Sequence, residues 1–543
     1  MVSVSVQAPS APARASADAL QMVGNMAVKM TACCAFIVLV GLFGQFARRW
    51  LVVDVLDIGH AVMGGIALGG GMILARRRPN AGAVMEAAGA GFLTGLLLAA
   101  LVAVARAANL RWMLTSLTPA TLNQVGYGLP DMQVGLVLSL AGGVACALGA
   151  WIVLMRPTVR RAVLGALGGV VCAGLLRELI RSLLSGAGGV DVWAFNYDGL
   201  LPAGALAAAI MGVVAGVRPG QKRFAALPGQ VQLGAKLLCL LFVLVLPALT
   251  NDFVAQVMLL VCLYCLMGMG LNIELGLAGL VDLGFVAFFA VGAYVVALTT
   301  SDTTHAVMQL NFFAALLLAV LLTAVAGFLF GLPVLRVRGD YLAIATLGLG
   351  EIVRVLVLSD MLKPALGGAQ GIVNIPKPEL FGFVLASPTR LFYMTAVFAG
   401  VAGYCAWRLQ HSGLGRRWLA VREDEDVAQA LGINLVQVKL SAYTLGAAFA
   451  GLAGGIFAGM VGSVFPQSFQ LLVSINVLAI LVVGGIGSLP GVIIGAAALI
   501  GAPEVLRDLG EYRYLIYGLV IIAVVRLKPE GLSPVAIRHR EAA

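Results

Sequence analysis

The chain has 543 residues, of which 61% are hydrophobic and only 11% charged, with a mean hydropathy of +1.01. Soluble domains carry roughly 25% charge, so the composition excludes a soluble enzyme or binding module and points to a polytopic helical membrane protein. The net charge of +10 is assigned to loops beside anionic lipid and not to a nucleic-acid surface, because no basic stripe carries interleaved aromatics.

Residues 1–28 are rich in Ala, Ser and Pro, with breakers at Pro9 and Pro12, and the apolar run after Lys29 has no small-residue cleavage site. A disordered cytoplasmic tail is expected there, not a cleaved signal peptide. Six apolar spans follow, over about 30–47, 58–75, 84–105, 134–154, 162–176 and 200–217, and make 29–217 a membrane extension. The stretch 218–236 carries Arg218, Lys222, Arg223, Pro228, Gly229 and Lys236 and reads as a basic cytoplasmic linker. Ten more spans, over about 237–250, 254–271, 280–299, 307–332, 341–358, 391–407, 441–462, 471–487, 489–503 and 512–525, form a core from 237 to 526. Residues 527–543 remain as a cytoplasmic C-terminal tail. The fold expected is all-α, with about sixteen transmembrane helices and both termini in the cytoplasm.

Basic residues test that parity. With the N-terminus inside, the clusters at 76–78, 156–161, 218–236, 336–338 and 526–540 fall on one side, whereas Arg48, Arg49, Arg507 and Arg513 are exceptions. Dropping one early span would invert all the later clusters. All eight cysteines lie in apolar stretches and read as small buried hydrophobes, and the four histidines are scattered, so no metal-ligand set is expected.

The stretch 268–294 stands apart. Gly268, Gly270, Gly276, Gly279 and Gly284 weaken any uninterrupted helix there, and Asn272, Glu274 and Asp282 are set among them. In a membrane, non-helical backbone is tolerated where protein or a water-lined cavity satisfies it. The stretch is either a broken intramembrane element beside a transport path or a short loop joining two ordinary spans.

A second distinctive stretch begins at Gly415-Arg416-Arg417 and runs through Arg422-Glu423-Asp424-Glu425-Asp426 to Leu431-Gly432. Four consecutive carboxylates do not sit in hydrocarbon. From Asp424 to Leu431 the pattern fits a short helix, with acids in its first turn, Gly432 at its C-terminal cap, and Val427, Ala430 and Leu431 on one apolar face. It is either a docking knob for a soluble partner or a solvated connector.

The second stretch resembles the cytoplasmic coupling loop of ATP-binding-cassette permeases for branched-chain amino acids. Three further blocks are similar to that family, and close to its LivM-type subunit. The first is Asn272, Gly276 and Gly279 followed by Leu-Val-Asp282-Leu-Gly284-Phe-Val-Ala-Phe-Phe-Ala-Val-Gly292-Ala-Tyr294. The second is Arg338-Gly-Asp-Tyr341 through Gly348-Leu-Gly350-Glu351-Ile-Val-Arg354. The third is Gly484-Gly-Ile-Gly487-Ser488-Leu-Pro490-Gly491, with Arg526-Leu-Lys-Pro529-Glu-Gly531-Leu532 after it. The likeness covers about 237–534 in consistent order.

That resemblance implies one of two permease subunits passing a small amino acid across the bacterial inner membrane. Its partners would be a LivH-type sibling permease, two cytoplasmic ATPases that use ATP and Mg, an extracytoplasmic binding protein and membrane lipid. Gly415, Arg416, Arg422, Glu423, Asp424, Glu425, Leu431 and Gly432 would form the ATPase-coupling loop. No Gly-x-x-x-x-Gly-Lys-[Ser/Thr] loop occurs in this chain, so ATP hydrolysis and its cofactors are assigned to the partners. Related permeases carry urea, amides and other small solutes, so the cargo stays open.

Candidate pathway residues are Asn272, Glu274, Asp282, Gly284, Gly292, Tyr294, Glu351 and Arg354. Glu351 and Arg354, at i and i+3, form either a structural ion pair or a contact for a zwitterionic substrate. Asp282 either caps a half-helix or faces water. The ladder Ala447, Gly451, Gly455 and Gly459 admits a closely packed helix, within the chain or from the sibling. The run Asp57-Ile-Gly-His60 faintly resembles the sibling's first signature, but no acidic loop follows it. Two rival classes are an ATP-independent secondary transporter or channel, which predicts a repeated broken helix in both halves, and a non-transporting membrane scaffold.

Overall fold

The computed structural model describes residues 11–534, apart from 80–81, 109–115, 178–179, 182–193, 197–198, 218–242, 249, 304–305, 335–339, 381, 508–509 and 511. The chain is mostly helical (78%). The all-α expectation is modified by two short antiparallel ribbons, Trp50–Val52 with Leu56–Asp57 and Glu379–Leu380 with Phe383–Val384. Among the described residues ten helices are long and apolar enough to cross a membrane, and three shorter apolar helices accompany them. The expected span at 237–250 and the basic clusters at 218–236 and 336–338 lie wholly or mostly outside the described residues.

The chain divides into two compact units, Met1–Leu237 and Leu238–Ala543. In the first, six principal helices are α1 (Ala11–Leu39), α2 (Ile58–Arg77), α3 (Gly82–Ala107), α4 (Asp131–Leu154), α5 (Pro157–Leu175) and α6 (Pro202–Val217). Residues 1–10 lie outside the described residues, and over 11–28 helix α1 stands where a disordered tail was expected. Alanines at 11, 13, 15, 17 and 19 are the strongest helix formers, and Pro12 falls in the first turn, where proline is tolerated. The first span shifts accordingly to Leu20–Leu39, and Gly41, with φ 87°, ends it before the expected limit at 47. Helices α3 and α4 cross with Gly91 set against the Gly142 carbonyl, where a β-carbon would collide, so small residues fix this packing.

The second unit is built around α14 (Leu435–Val461), which follows α7 (Asp252–Leu271), α8 (Phe285–Thr300), α9 (Phe312–Val334), α10 (Asp340–Leu358), α11 (Pro388–Gln410), α12 (Gly413–Glu423) and α13 (Glu425–Ala430). Helices α15 (Leu471–Gly484), α16 (Leu489–Ala496) and α17 (Tyr512–Leu527) complete it. The ladder on α14 packs within the chain. Gly451 meets Gly292 of α8 and Thr323 of α9, Gly455 meets Leu316 and Val296, and Gly459 meets Phe312. Backbones approach at these points because no side chain intervenes. Leu317, Leu321, Val325 and Leu329 of α9 face outward, as a lipid-facing stripe does. Cys33, Cys172 and Cys405 are also exposed, correcting the expectation that every cysteine is buried, because lipid accepts a thiol as readily as a core does.

Candidate functional site

Helix α7 does not stop at Leu271 but widens into a π-helical turn, Asn272–Leu277. The Ala278 N–H donates to the Ile273 carbonyl at 3.2 Å and the Leu280 N–H to the Glu274 carbonyl at 2.9 Å. Gly279 then takes φ 73°, a left-handed conformation that glycine adopts freely, and the chain runs without helix to α8. π-turns are frequent at functional sites, and a second one lies at Ala497–Gly501. This stretch is therefore a broken element enclosed in protein, and its irregular backbone is satisfied by specific partners.

Those partners come from distant parts of the chain. The Asn272 carboxamide oxygen accepts from the Gly487 N–H at 2.9 Å, joining the break to the Gly484–Gly491 block. The Leu283 N–H donates to the Thr346 hydroxyl of α10 at 3.0 Å, and the Val286 N–H donates to the Ser474 hydroxyl of α15 at 3.0 Å. Asp282 closes a local turn just before α8, its carboxylate accepting from the Gly284 N–H at 2.7 Å. Gly284 is the N-cap of α8 and no side chain caps it, and Asp282 is buried.

Glu274 and Asp282 are fully enclosed, and no N–H or O–H among the described residues bonds either Glu274 oxygen. The second Asp282 oxygen is likewise buried without a donor among the described residues, and burying an unpaired carboxylate is costly. The buried Tyr443 hydroxyl of α14 stands near both acids. Gly446, one turn further on, leaves the space that the Glu274 carboxyl fills.

The acidic stretch folds as two short helices sharing one residue. Asp424 ends α12 and its carboxylate caps α13, accepting from the N–H groups of Asp426 at 2.9 Å and Val427 at 3.0 Å. Gly432 follows with φ 83°, the left-handed C-terminal cap. Val427 and Leu431 are exposed, Leu431 by 77%, so the apolar face of α13 is unpartnered among the described residues. Glu423 is exposed, whereas Glu425 pairs with the buried Lys439 of α14 at 2.5 Å. Trp418 anchors α12, donating to the Val438 carbonyl and the Ser441 hydroxyl at 3.1 Å each. Gly415 is buried against the end of α11, and Arg416 is exposed.

One contact joins the two sites. The Arg422 guanidinium of α12 donates to the Gly276 carbonyl inside the π-turn at 2.5 Å, and its stem lies against Gly279. The α12–α13 pair and the broken element are thus bonded directly.

The remaining candidates are placed differently. Gly292 and the buried Tyr294 sit along α8 in the chain's own core. Glu351 and Arg354 form a bidentate pair, with the Arg354 Nε 3.0 and 3.1 Å from the two carboxylate oxygens. They were expected inside the core, but the Glu351 side chain is 49% exposed, on a face of α10 that this chain leaves open. Arg354 also lines a small cavity with Val286 and Ala287 at the start of α8. Tyr443, Gly446, Thr346, Ser474 and Lys439 were not singled out from sequence. Their only signal was a polar residue, or an extra glycine, inside an apolar span. In the first unit, Asp57 caps α2 and its carboxylate holds the His60 Nδ1 at 2.5 Å, while Tyr127 stacks on the imidazole.

A family described as branched-chain amino acid transport system / permease component matches residues 253–525. That range takes in the break, α10, the coupling helices and the Gly484–Gly491 block, and leaves out α1–α6. The high-affinity branched-chain amino acid transport system permease protein LivM of Salmonella typhimurium is 40% identical over 295 residues, covering 50% of this chain and 68% of that protein. LivM of Escherichia coli is 38% identical over 311 residues, covering 53% and 72%. The LivH permease of Salmonella typhimurium is 24% identical over 284 residues, covering 50% and 90%. No solved structure matches the chain. With half its length matching the family and two-thirds or more of each LivM relative covered, the chain belongs to the branched-chain amino acid transport system permease component family.

Proposed function

We propose that this chain is the LivM-type permease subunit of an ATP-binding-cassette importer for branched-chain amino acids, working in the bacterial inner membrane by alternating access. The LivM relatives are named as permease proteins of high-affinity branched-chain amino acid transport systems, and the LivH likeness supports a LivH-type sibling as the second permease. Two cytoplasmic ATPases, which use ATP and Mg, and an extracytoplasmic binding protein complete the assembly in this reading. Both termini and α12–α13 then face the cytosol, as the basic clusters imply, within a fold of about sixteen spans.

The observation that carries the mechanism is the Arg422–Gly276 bond. The exposed Val427 and Leu431, with Glu423 beside them, present the ATPase-docking face. Movement of α12–α13 when the ATPases close is delivered through Arg422 to a carbonyl in the π-turn. There the break acts as a hinge between α7 and α8, with the buried Glu274 and Asp282 beside it. The Glu351–Arg354 pair stands on an open face where charge is costly against lipid. That face is covered by the sibling permease and borders the conduit, where a zwitterion's ammonium and carboxylate meet complementary groups.

The test is reconstitution in liposomes with the LivH-type permease, both ATPases and the binding protein. Uptake of radiolabelled leucine that requires ATP and every component is expected. Uptake by this chain alone would overturn the proposal in favour of secondary transport.

A further inference from the structure

Helix α11 runs along α7 but barely meets α14, leaving a groove of about 800 Å³ open to the outside of the second unit. Its walls are apolar: Val320 of α9, Phe398, Val401 and Ala402 of α11, and Phe449 and Leu452 of α14. On α11 the lining runs from Phe398 to the residues just after its end, roughly 20 Å of helix at 1.5 Å per residue. That exceeds half the thickness of a bilayer's hydrocarbon core, about 15 Å.

One end of the groove has a different chemistry. Arg408, His411 and Ser412 close it, and no acidic residue lines any part. Arg408 is exposed and has no carboxylate partner among the described residues. Ser412 is the N-cap of the eleven-residue helix α12, so the positive end of that dipole points to the same place. Basic pockets between transmembrane helices on the cytoplasmic side bind anionic lipid headgroups. A long apolar slot ending in a cation and a helix N-terminus is complementary to a molecule with a hydrocarbon tail and an anionic head.

We infer that this groove is a specific site for an anionic phospholipid, with an acyl chain between α11 and α14 and its phosphate at Arg408, beside the Ser412 end of α12. The position matters because Ser412 begins the coupling helix. Lipid bound there braces the joint between α11 and α12, the joint on which α12 swings.

The experiment uses the full chain in the assembled importer, in nanodiscs of phosphatidylcholine with a minor fraction of phosphatidylglycerol bearing a photoactivatable acyl chain. Crosslinks are expected in the peptides spanning 398–405 and 445–452, with native mass spectrometry retaining phosphatidylglycerol over phosphatidylcholine. Arg408→Gln is expected to lower retention about fivefold, the effect of one cation at a membrane surface. Arg390→Gln, at the other end of α11, leaves retention unchanged. Equal crosslinking by a phosphatidylcholine probe would mean an unselective lipid face and would overturn the site. Crosslinks from a probe attached at Cys405 to the sibling permease, or to α1–α6 of this chain, would show the groove filled by protein and overturn it equally. Variants are compared only where size-exclusion chromatography returns a monodisperse complex, and Arg408→Lys, which keeps the charge, is expected to retain the lipid.

Discussion

Replacing Arg422 with Ala removes the side chain that, among the described residues, bonds α12–α13 to the break. The lost interaction is a charge-assisted hydrogen bond to the Gly276 carbonyl, and the carbonyl is left without that donor inside the protein. Such a loss costs about 1–3 kcal/mol, roughly a tenfold to hundredfold change in the equilibrium between two conformations of the hinge. The stem's packing against Gly279, where a β-carbon would sit 3.1 Å from the Arg422 Cγ, is lost as well. The exposed face of α13 is untouched, so ATPase binding and hydrolysis should persist. In proteoliposomes the ATP hydrolysed per leucine imported is therefore expected to rise about tenfold or more, while Arg422→Lys recovers part of the loss. A wild-type ratio in a folded, assembled Arg422→Ala importer would refute the relay. Loss of ATPase binding would instead make Arg422 a docking residue.

Three further outcomes follow from the same geometry. Glu425→Gln leaves Lys439, whose side chain is 7% exposed, without its partner. Thermal unfolding in detergent should show a loss of about 3 kcal/mol, at the low end for a broken buried pair because Glu425 is partly open to water, whereas Glu423→Lys should leave melting unchanged and weaken ATPase binding. Asp282→Asn keeps an oxygen for the Gly284 N–H and should preserve stability, whereas Asp282→Ala leaves that buried N–H without its acceptor and should cost about 1–3 kcal/mol, so equal melting of the two variants would deny that bond any role. Glu351→Gln, on the open face of α10, should leave the melting of this chain alone unchanged and reduce import. Lowered melting with unaltered import would make that pair structural.

Much of this was legible in the sequence, for reasons that can be named. The break between α7 and α8 announces itself because its glycines and acids interrupt an apolar run, and a membrane tolerates little else that looks like that. The cap of α13 was readable because Gly432 and the acids of its first turn are local signals. Sequence did not reveal that the break is a π-turn, since that depends on Asn272 reaching Gly487, 215 residues away. Tyr443 and Gly446 were missed because α14 already had a glycine ladder, and nothing local distinguishes a glycine facing a helix from one facing a carboxyl. Spacing paired Glu351 with Arg354 but not their side of α10, which tertiary contacts decide. At the N-terminus, composition suggested disorder where alternating alanines make helix.

The account rests on α12–α13 receiving the ATPases and passing their motion to the π-turn. The most direct measurement is site-specific crosslinking from a photoreactive residue placed at Leu431 in the assembled importer, where the side chain is exposed on α13. The account predicts adducts with an ATPase subunit that change in yield when ATP is added. Adducts with the binding protein instead, or labelling of that residue from the periplasmic side of intact cells, would contradict it.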